Sequence, residues 1–203
     1  MKIFCIGRNY ADHAKELGNG LPDEPIIFMK PKSALVQSHT PFYYPEFTNE
    51  LNYEAELVVR ISKNGKYIQE KHASNYYNAI TVGIDFTARD IQNQLKEKGL
   101  PWEKAKSFDN SAAVGKFIDI APGMDKKNIN FSFLKNKEVV QKDNSKSMIF
   151  TIDRIVSNIS NYFSLNIGDL VFTGTPAGVG ECGVGDHLEG YFEKELVLSL
   201  EIK

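Results

Sequence analysis

The sequence predicts a β-rich α+β fold with few helices. Three observations carry that reading: six strand-like segments, one hairpin signal, and only two segments with a helical apolar stripe. The strand-like segments are residues 3–6, 55–61, 80–86, 130–134, 170–173 and 196–202, with clear apolar alternation in the last. Lys135-Asn-Lys137, between Phe131-Ser-Phe-Leu134 and Glu138-Val-Val140, reads as a hairpin turn.

Met-Lys-Ile-Phe-Cys-Ile6 is too short an apolar run for a signal peptide and reads as the first strand. Tyr10-Ala-Asp-His-Ala-Lys-Glu16 is a polar run with room for one helical turn. Gly18, Gly20, Pro22 and Pro25 then resist either periodic structure, so a mobile lid is expected near residues 10–25. One helix is expected over residues 87–98, with Thr87 as N-cap, Asp90 three residues later and Gly99 as its stop. A second is expected over residues 152–163, where Ile152, Ile155, Val156, Ile159 and Phe163 form one stripe. There is no repeat, low-complexity tract or linker.

A length of 203 residues with 42% hydrophobic content suits one sizeable core, hence a single domain over residues 1–203. The net charge is -2 with Lys and Arg scattered, which leaves no electrostatic footprint for nucleic acid or an acidic membrane surface. No apolar run approaches the ~18 residues of a membrane span. Cys5 and Cys182 are too few for a disulfide framework and suit a reducing, cytoplasmic setting. A small-molecule partner is the expectation.

The chemistry begins at Asn52-Tyr-Glu-Ala-Glu-Leu-Val-Val-Arg60. Glu54 and Glu56 stand two apart on a strand, so they leave the same face with Cα atoms about 7 Å apart. The pair alone is weak, because 26 acidic residues in this length give about three such pairs by chance. Asp85, where a strand gives way to a helix, can add a third carboxylate. Such a set selects a hard cation, Mg²⁺ or else Mn²⁺ or Ca²⁺, over Zn²⁺. Three carboxylates and one divalent ion leave -1, so an anionic substrate needs a cation nearby. Lys106 or Lys104 can supply it, and spacing does not choose between them.

His13 and Glu16 stand three apart, so the carboxylate can orient the imidazole as a general base. His39, His72 and His187 have no such partner pattern and read as structural or surface residues. Thr173-Gly-Thr-Pro-Ala-Gly-Val-Gly180 lacks the Gly-Lys-Ser/Thr of a P-loop, but can bring backbone N–H groups and the Thr175 hydroxyl to a carboxylate. Trp102, Phe108 and Phe117 are candidates for pocket wall or core, with core the expectation.

Gly7-Arg-Asn-Tyr-Ala-Asp-His13, Phe28-Met-Lys-Pro31, Tyr53-Glu-Ala-Glu-Leu57, Asp85-Phe-Thr-Ala-Arg-Asp-Ile-Gln92, Lys98-Gly-Leu-Pro-Trp102, Ala105-Lys-Ser-Phe108, Ser147-Met-Ile-Phe150 and the glycine-rich loop run in order over nearly the whole chain. Together they resemble the fumarylacetoacetate hydrolase family, especially its short acylpyruvase and oxaloacetate decarboxylase branch. The resemblance implies a mixed β-sheet roll assembled as a homodimer. It implies Glu54, Glu56 and Asp85 as metal ligands, Lys106 as the active-site lysine, and His13 with Glu16 as a lid dyad. Arg8, Gln92 and Thr175 are implied around a 2-oxoacid or dicarboxylate substrate. Asn52 departs from the Asp of many relatives, outside the three expected ligands. The implied activity is metal-dependent C–C cleavage, by acylpyruvate hydrolysis or oxaloacetate decarboxylation. The alternatives are an isomerase or decarboxylase of 2-hydroxyhepta-2,4-diene-1,7-dioate-type substrates, and a non-catalytic dicarboxylate-binding protein.

Overall fold

A computed structural model of the chain describes residues 1–16, 18, 20–37 and 40–203. In chain order the strands are β1 (Ile3–Gly7), β2 (Ile26–Lys30), β3 (Leu35–Gln37), β4 (Leu51–Tyr53), β5 (Ala55–Ile61), β6 (Tyr77–Asp85), β7 (Thr87–Ala88), β8 (Ala112–Val114), β9 (Ile118–Asp119), β10 (Asn130–Lys135), β11 (Glu138–Asn144), β12 (Leu170–Phe172), β13 (Gly180–Glu181), β14 (His187–Phe192) and β15 (Glu195–Glu201). The helices are α1 (Ala11–Glu16), α2 (Glu70–Ala73), α3 (Arg89–Glu97), α4 (Glu103–Lys106) and α5 (Ile152–Tyr162).

The largest sheet has the order β2-β1-β12-β5-β6-β8-β3, with β9 also paired to β6. It is mixed: β1 runs parallel to β12 and β3 to β8, whereas β5 and β6 are antiparallel. A four-stranded antiparallel sheet has the order β11-β10-β14-β15, and a small third sheet the order β13-β4-β7. The expected β-rich, mixed-sheet architecture with few helices is therefore present.

Burial explains why β5 reads as a continuous Leu-Val-Val run. Leu57 and Val59 pack in one core cluster with Ile155, Val156 and Ile159 of α5, while Val58 faces a second cluster with Ile3, Cys5 and Phe172. A strand buried on both faces has no polar side to alternate. The α5 stripe is buried as its spacing predicts, and Thr151 caps the helix by accepting from the Arg154 N–H at 3.2 Å. The β10–β11 hairpin turns through Asn136 and Lys137, both at positive φ (54° and 71°), the backbone of a type I′ turn.

The expected helix over residues 87–98 starts later, at Arg89. Thr87 is not its N-cap; it belongs to β7, opposite Asn52, and its hydroxyl accepts from Lys106 Nζ at 2.6 Å. Ala88 stands at the cap position without a side-chain bond, and Asp90 instead accepts from the Asn49 N–H and the Thr48 hydroxyl. Gly99, at φ +61°, ends the helix as expected.

The fold makes its seam at two adjacent points. Strand β4 passes into β5 at Glu54, and β6 into β7 at Phe86, so the paired chains leave the large sheet for the small one together. The Asp85 N–H donates to the Glu54 carbonyl at 2.8 Å across that junction. Nearby, fully buried Asn9 donates to the Phe150 and Thr173 carbonyls (3.0 and 2.7 Å) and accepts from the Phe150 N–H (2.7 Å). It thereby fastens the β1–α1 connection to the glycine-rich loop.

Residues 17 and 19 of the expected lid, and His39, lie outside the described residues. Among the described residues no helix is long and apolar enough to cross a membrane. The other histidines read as surface or structural do behave so: His72 is exposed, and half-buried His187 bonds Ser199 at 3.0 Å.

Asn9→Ala leaves buried backbone groups of Phe150 and Thr173 without that partner. It should cost about 2–4 kcal/mol, read as a lower urea midpoint with an unchanged slope in denaturation followed by circular dichroism.

Candidate active site

At the seam, Glu54, Glu56 and Asp85 are 6, 2 and 1% exposed, and each offers an oxygen within 4.8 Å of the others. The strand period of two puts Glu54 and Glu56 on one side, and the β5–β6 pairing brings Asp85 alongside. The three carboxylates expected from the sequence thus converge.

Their compensation is larger than the single lysine anticipated. Lys106, buried on the short α4, donates to Glu54 Oε2 (2.7 Å), Asp85 Oδ2 (2.8 Å) and the Thr87 hydroxyl (2.6 Å). Lys104 is exposed, which settles the choice that spacing left open. Arg89, at the start of α3, donates to Glu54 Oε1, to Asn52 Oδ1 (2.9 Å) and to Gln92 Oε1. The Asn52 departure therefore leaves the position holding Arg89. Lys30, 1% exposed, reaches from β2 to within 2.8 Å of Asp85 Oδ1 and donates to the Ser111 carbonyl and hydroxyl (3.0 Å each) and to the Lys106 carbonyl. Lys30 thus ties Asp85 to the backbone that carries Lys106.

These side chains contribute -3 and +3, so the cluster is neutral by formal charge before any ion binds. A divalent ion would take it to +2, whereas three carboxylates alone would leave -1; the arrangement suits a dianionic ligand. Burial raises the Glu54 pKa, but Lys106, Arg89 and His13 outweigh it and hold this carboxyl below its usual range. Burial and the Asp85 charge push Glu56 well above the usual range, against one bond from the Gly174 N–H at 2.6 Å. Burial opposes the charge on Lys106, yet Asp85 and Glu54 raise its pKa.

The donor set fits a hard divalent cation. It is all oxygen, and Asp85 Oδ1, although beside Lys30, accepts no aligned hydrogen bond. An ion taking Glu54 Oε2 and Asp85 Oδ2 would compete with the Lys106 ammonium for the same oxygens.

A cavity of about 40 Å³ opens on this cluster, lined also by Arg8, His13, Gln92, Lys96, Phe28, Trp102 and Thr175. The expected substrate residues Arg8, Gln92 and Thr175 therefore all border it. Arg8 holds a left-handed backbone (φ 59°), uncommon for a side-chain-bearing residue. His13, 4% exposed, places Nδ1 3.2 Å from Glu16 Oε2, and Glu16 Oε1 accepts from the Gly178 N–H at 3.2 Å. The expected dyad is assembled, and its carboxylate is fastened to the glycine-rich loop. That loop serves the protein's own groups: the Thr175 hydroxyl donates to the Ala55 carbonyl and accepts from Gln141, 2.9 Å each. Gly174 needs its φ of +100°, and a Cβ there would meet Asn9 Cβ at 2.6 Å. Trp102, expected in the core, instead stacks edge-on against Phe28 at 6.1 Å as a cavity wall, while Phe108 and Phe117 pack against core clusters.

Sequence reasoning assigned no role to Lys30, Arg89, Asn9 or Gln141. Arg89 had a usable signal, since Arg89 and Gln92 are i and i+3 on a helix that starts just beyond Asp85. Lys30, Asn9 and Gln141 act through contacts 34 or more residues away in sequence, which no local pattern reveals.

Comparison with known proteins agrees with this geometry. Residues 2–202 match the family model described as fumarylacetoacetate (FAA) hydrolase, C-terminal. The chain belongs to the fumarylacetoacetate hydrolase family. Among family relatives, the mitochondrial oxaloacetate tautomerase FAHD1 of Bos taurus is 38% identical over 201 residues, 99% of this chain and 90% of that protein. The oxaloacetate tautomerase YcgM of Escherichia coli (strain K12) is 38% identical over 193 residues, 95% and 88% of the two chains. The crystal structure of fumarylpyruvate hydrolase from Pseudomonas aeruginosa, in complex with Mn²⁺ and pyruvate, superposes with a TM-score of 0.93 at 35% identity, covering 100% of this chain and 89% of that one.

Metal-free protein should take up Mn²⁺ at one site, followed by electron paramagnetic resonance, and Asp85→Asn should weaken uptake about 100-fold or more. Burial and the Asp85 charge raise the Glu56 pKa, and an ion bound there would favour the ionised carboxylate, so binding is expected to release protons. Apparent affinity should accordingly fall as pH is lowered, and calorimetry in buffers of different ionisation heat should register proton release.

Proposed function

We propose that this chain is a divalent-metal-dependent enzyme that cleaves C–C bonds of small 2-oxoacids, by acylpyruvate hydrolysis, oxaloacetate decarboxylation or both. The observation that carries this reading is the buried convergence of Glu54, Glu56 and Asp85 on one point, with Lys106 bonded to Glu54 and Asp85 and Arg89 to Glu54. A divalent ion held by the three carboxylates, Mg²⁺ on our reading, would act there as a Lewis acid toward the 2-oxoacid.

The chain's own residues supply the rest. The three Lys106 N–H groups are bonded to Glu54, Asp85 and Thr87. With an ion drawing on Glu54 and Asp85, donors would be released to the substrate carboxylate, while Lys106 and Arg89 together hold the Glu54 carboxyl below its usual range. His13, with Nδ1 on Glu16, keeps Nε2 to take a proton from the water that attacks the distal carbonyl of an acylpyruvate. Decarboxylation needs no attacking water. Residues 10–25 would act as a lid over one catalytic domain spanning residues 1–203, closing on the cavity above the carboxylates. Buried His13 and the Glu16 contact to Gly178 support that motion as a closure. A cytoplasmic homodimer completes the reading, the location supported by two buried free thiols.

A second reading is keto–enol interconversion of oxaloacetate, favoured by the activity named for both relatives. The same residues serve it, with His13 moving a proton between C3 and solvent in place of activating water. A dienoate isomerase would likewise relocate a proton and would show as movement of diene absorbance without pyruvate release. A non-catalytic dicarboxylate binder has no use for the His13–Glu16 pair.

Purified protein in Mg²⁺ should consume acetylpyruvate with matching pyruvate formation, and EDTA should abolish it. Absence of turnover of acetylpyruvate and of oxaloacetate by folded, metal-loaded protein would overturn the cleavage reading. His13→Ala should lower acetylpyruvate hydrolysis about 100-fold or more but lower decarboxylation much less; equal losses contradict the division of labour.

A further inference from the structure

Helix α3 places Arg89, Gln92 and Lys96 at i, i+3 and i+7, one face of the helix. All three line the cavity over the carboxylates. Arg89 and Gln92 are bonded to each other, and Arg89 to Glu54. Lys96 is half-buried, with Nζ 5.9 Å from the centroid of the Trp102 ring. The other cations on this cavity have carboxylate partners: Lys106 has Glu54 and Asp85, and Arg89 has Glu54. Among the described residues Lys96 and Arg8 have none, and Arg8 keeps its left-handed backbone at the same cavity. Burial, with Arg89 and Arg8 nearby, lowers the Lys96 pKa. A bound anion would relieve that cost.

The spacing sets the size of that anion. Seven residues at 1.5 Å place the Lys96 Cα about 10 Å along the helix from that of Arg89. Long side chains on a helix lean back toward its N-terminus, a tendency that shortens the gap between two such cationic groups. The anion therefore spans the distance from the metal end to Lys96 and carries a second negative group there. This matches the excess of positive charge left once an ion occupies the carboxylates.

We propose that Lys96 is a specificity-determining residue that binds the distal carboxylate of a dicarboxylic 2-oxoacid, with Arg8 flanking it and Trp102 as the wall behind. The proposal rests on the 2-oxoacid reading above and narrows it: four- and five-carbon dicarboxylates are preferred to acids with an apolar tail.

The test uses the Mg²⁺-loaded full chain and binding rather than turnover. 2-Oxoglutarate and 2-oxopentanoate share the 2-oxoacid end and chain length and differ only in a distal carboxylate or methyl group; neither is a β-oxoacid open to the cleavage proposed. By calorimetry the native protein should bind 2-oxoglutarate about tenfold or more tighter than 2-oxopentanoate. In Lys96→Met that ratio should collapse toward one, and Lys96→Arg should retain most of it. A native ratio near one, a ratio preserved in Lys96→Met, or no binding of either acid overturns the proposal. A ratio that behaves as expected in a protein that turns over neither oxaloacetate nor acetylpyruvate upholds the Lys96 subsite and sinks the cleavage reading instead.

Discussion

Three carboxylates in a buried seam repel one another, and the surrounding structure answers that repulsion. At an effective dielectric near 20, each pair within 5 Å costs about 3 kcal/mol or more. Lys106, Arg89 and Lys30 offset it from three directions, each from a different element. Because Lys30 also holds the backbone carbonyls of Lys106 and Ser111, compensation of charge and positioning of the lysine helix are one network. Breaking such a network leaves an uncompensated buried charge, which is why its members are hard to remove singly.

The carboxylates need both a strand and the end of a strand. Glu56 lies within β5, where sheet pairing fixes it, whereas Glu54 and Asp85 stand where the chains leave the large sheet. That exit turns Thr87 toward Lys106 and starts α3 at Arg89, so one change of direction delivers the third ligand, a hydroxyl acceptor and a guanidinium. The late helix start, which cap rules place at Thr87, follows from this demand: the hydroxyl that would have capped the helix bonds the ammonium.

Much of this was legible in the sequence. Spacing alone put Glu54 with Glu56 and His13 with Glu16, because both pairs lie within one turn or one strand repeat, where periodicity is geometry. The long strands, the α5 stripe and the Asn136–Lys137 turn were readable for the same reason. What escaped depends on contacts between distant segments. Lys30 resembles any lysine ending a strand until Ser111 and Asp85 are brought against it, and Asn9 is an ordinary polar residue until it meets Phe150. Trp102 escaped because a large aromatic is core by default, and only its place between Phe28 and Lys96 makes it a wall.

The glycine-rich loop is gripped at two points four residues apart. Gly174 gives its N–H to Glu56, and Gly178 gives its N–H to Glu16, the residue that steadies His13. One short stretch of backbone therefore reaches the carboxylate cluster at one end and the His13–Glu16 pair at the other. By thermodynamic reciprocity, any coupling between the grip on Glu16 and the hold on Glu56 is equal in both directions. The proposed metal site and the proposed lid thus share one stretch of backbone, through amides that carry no charge.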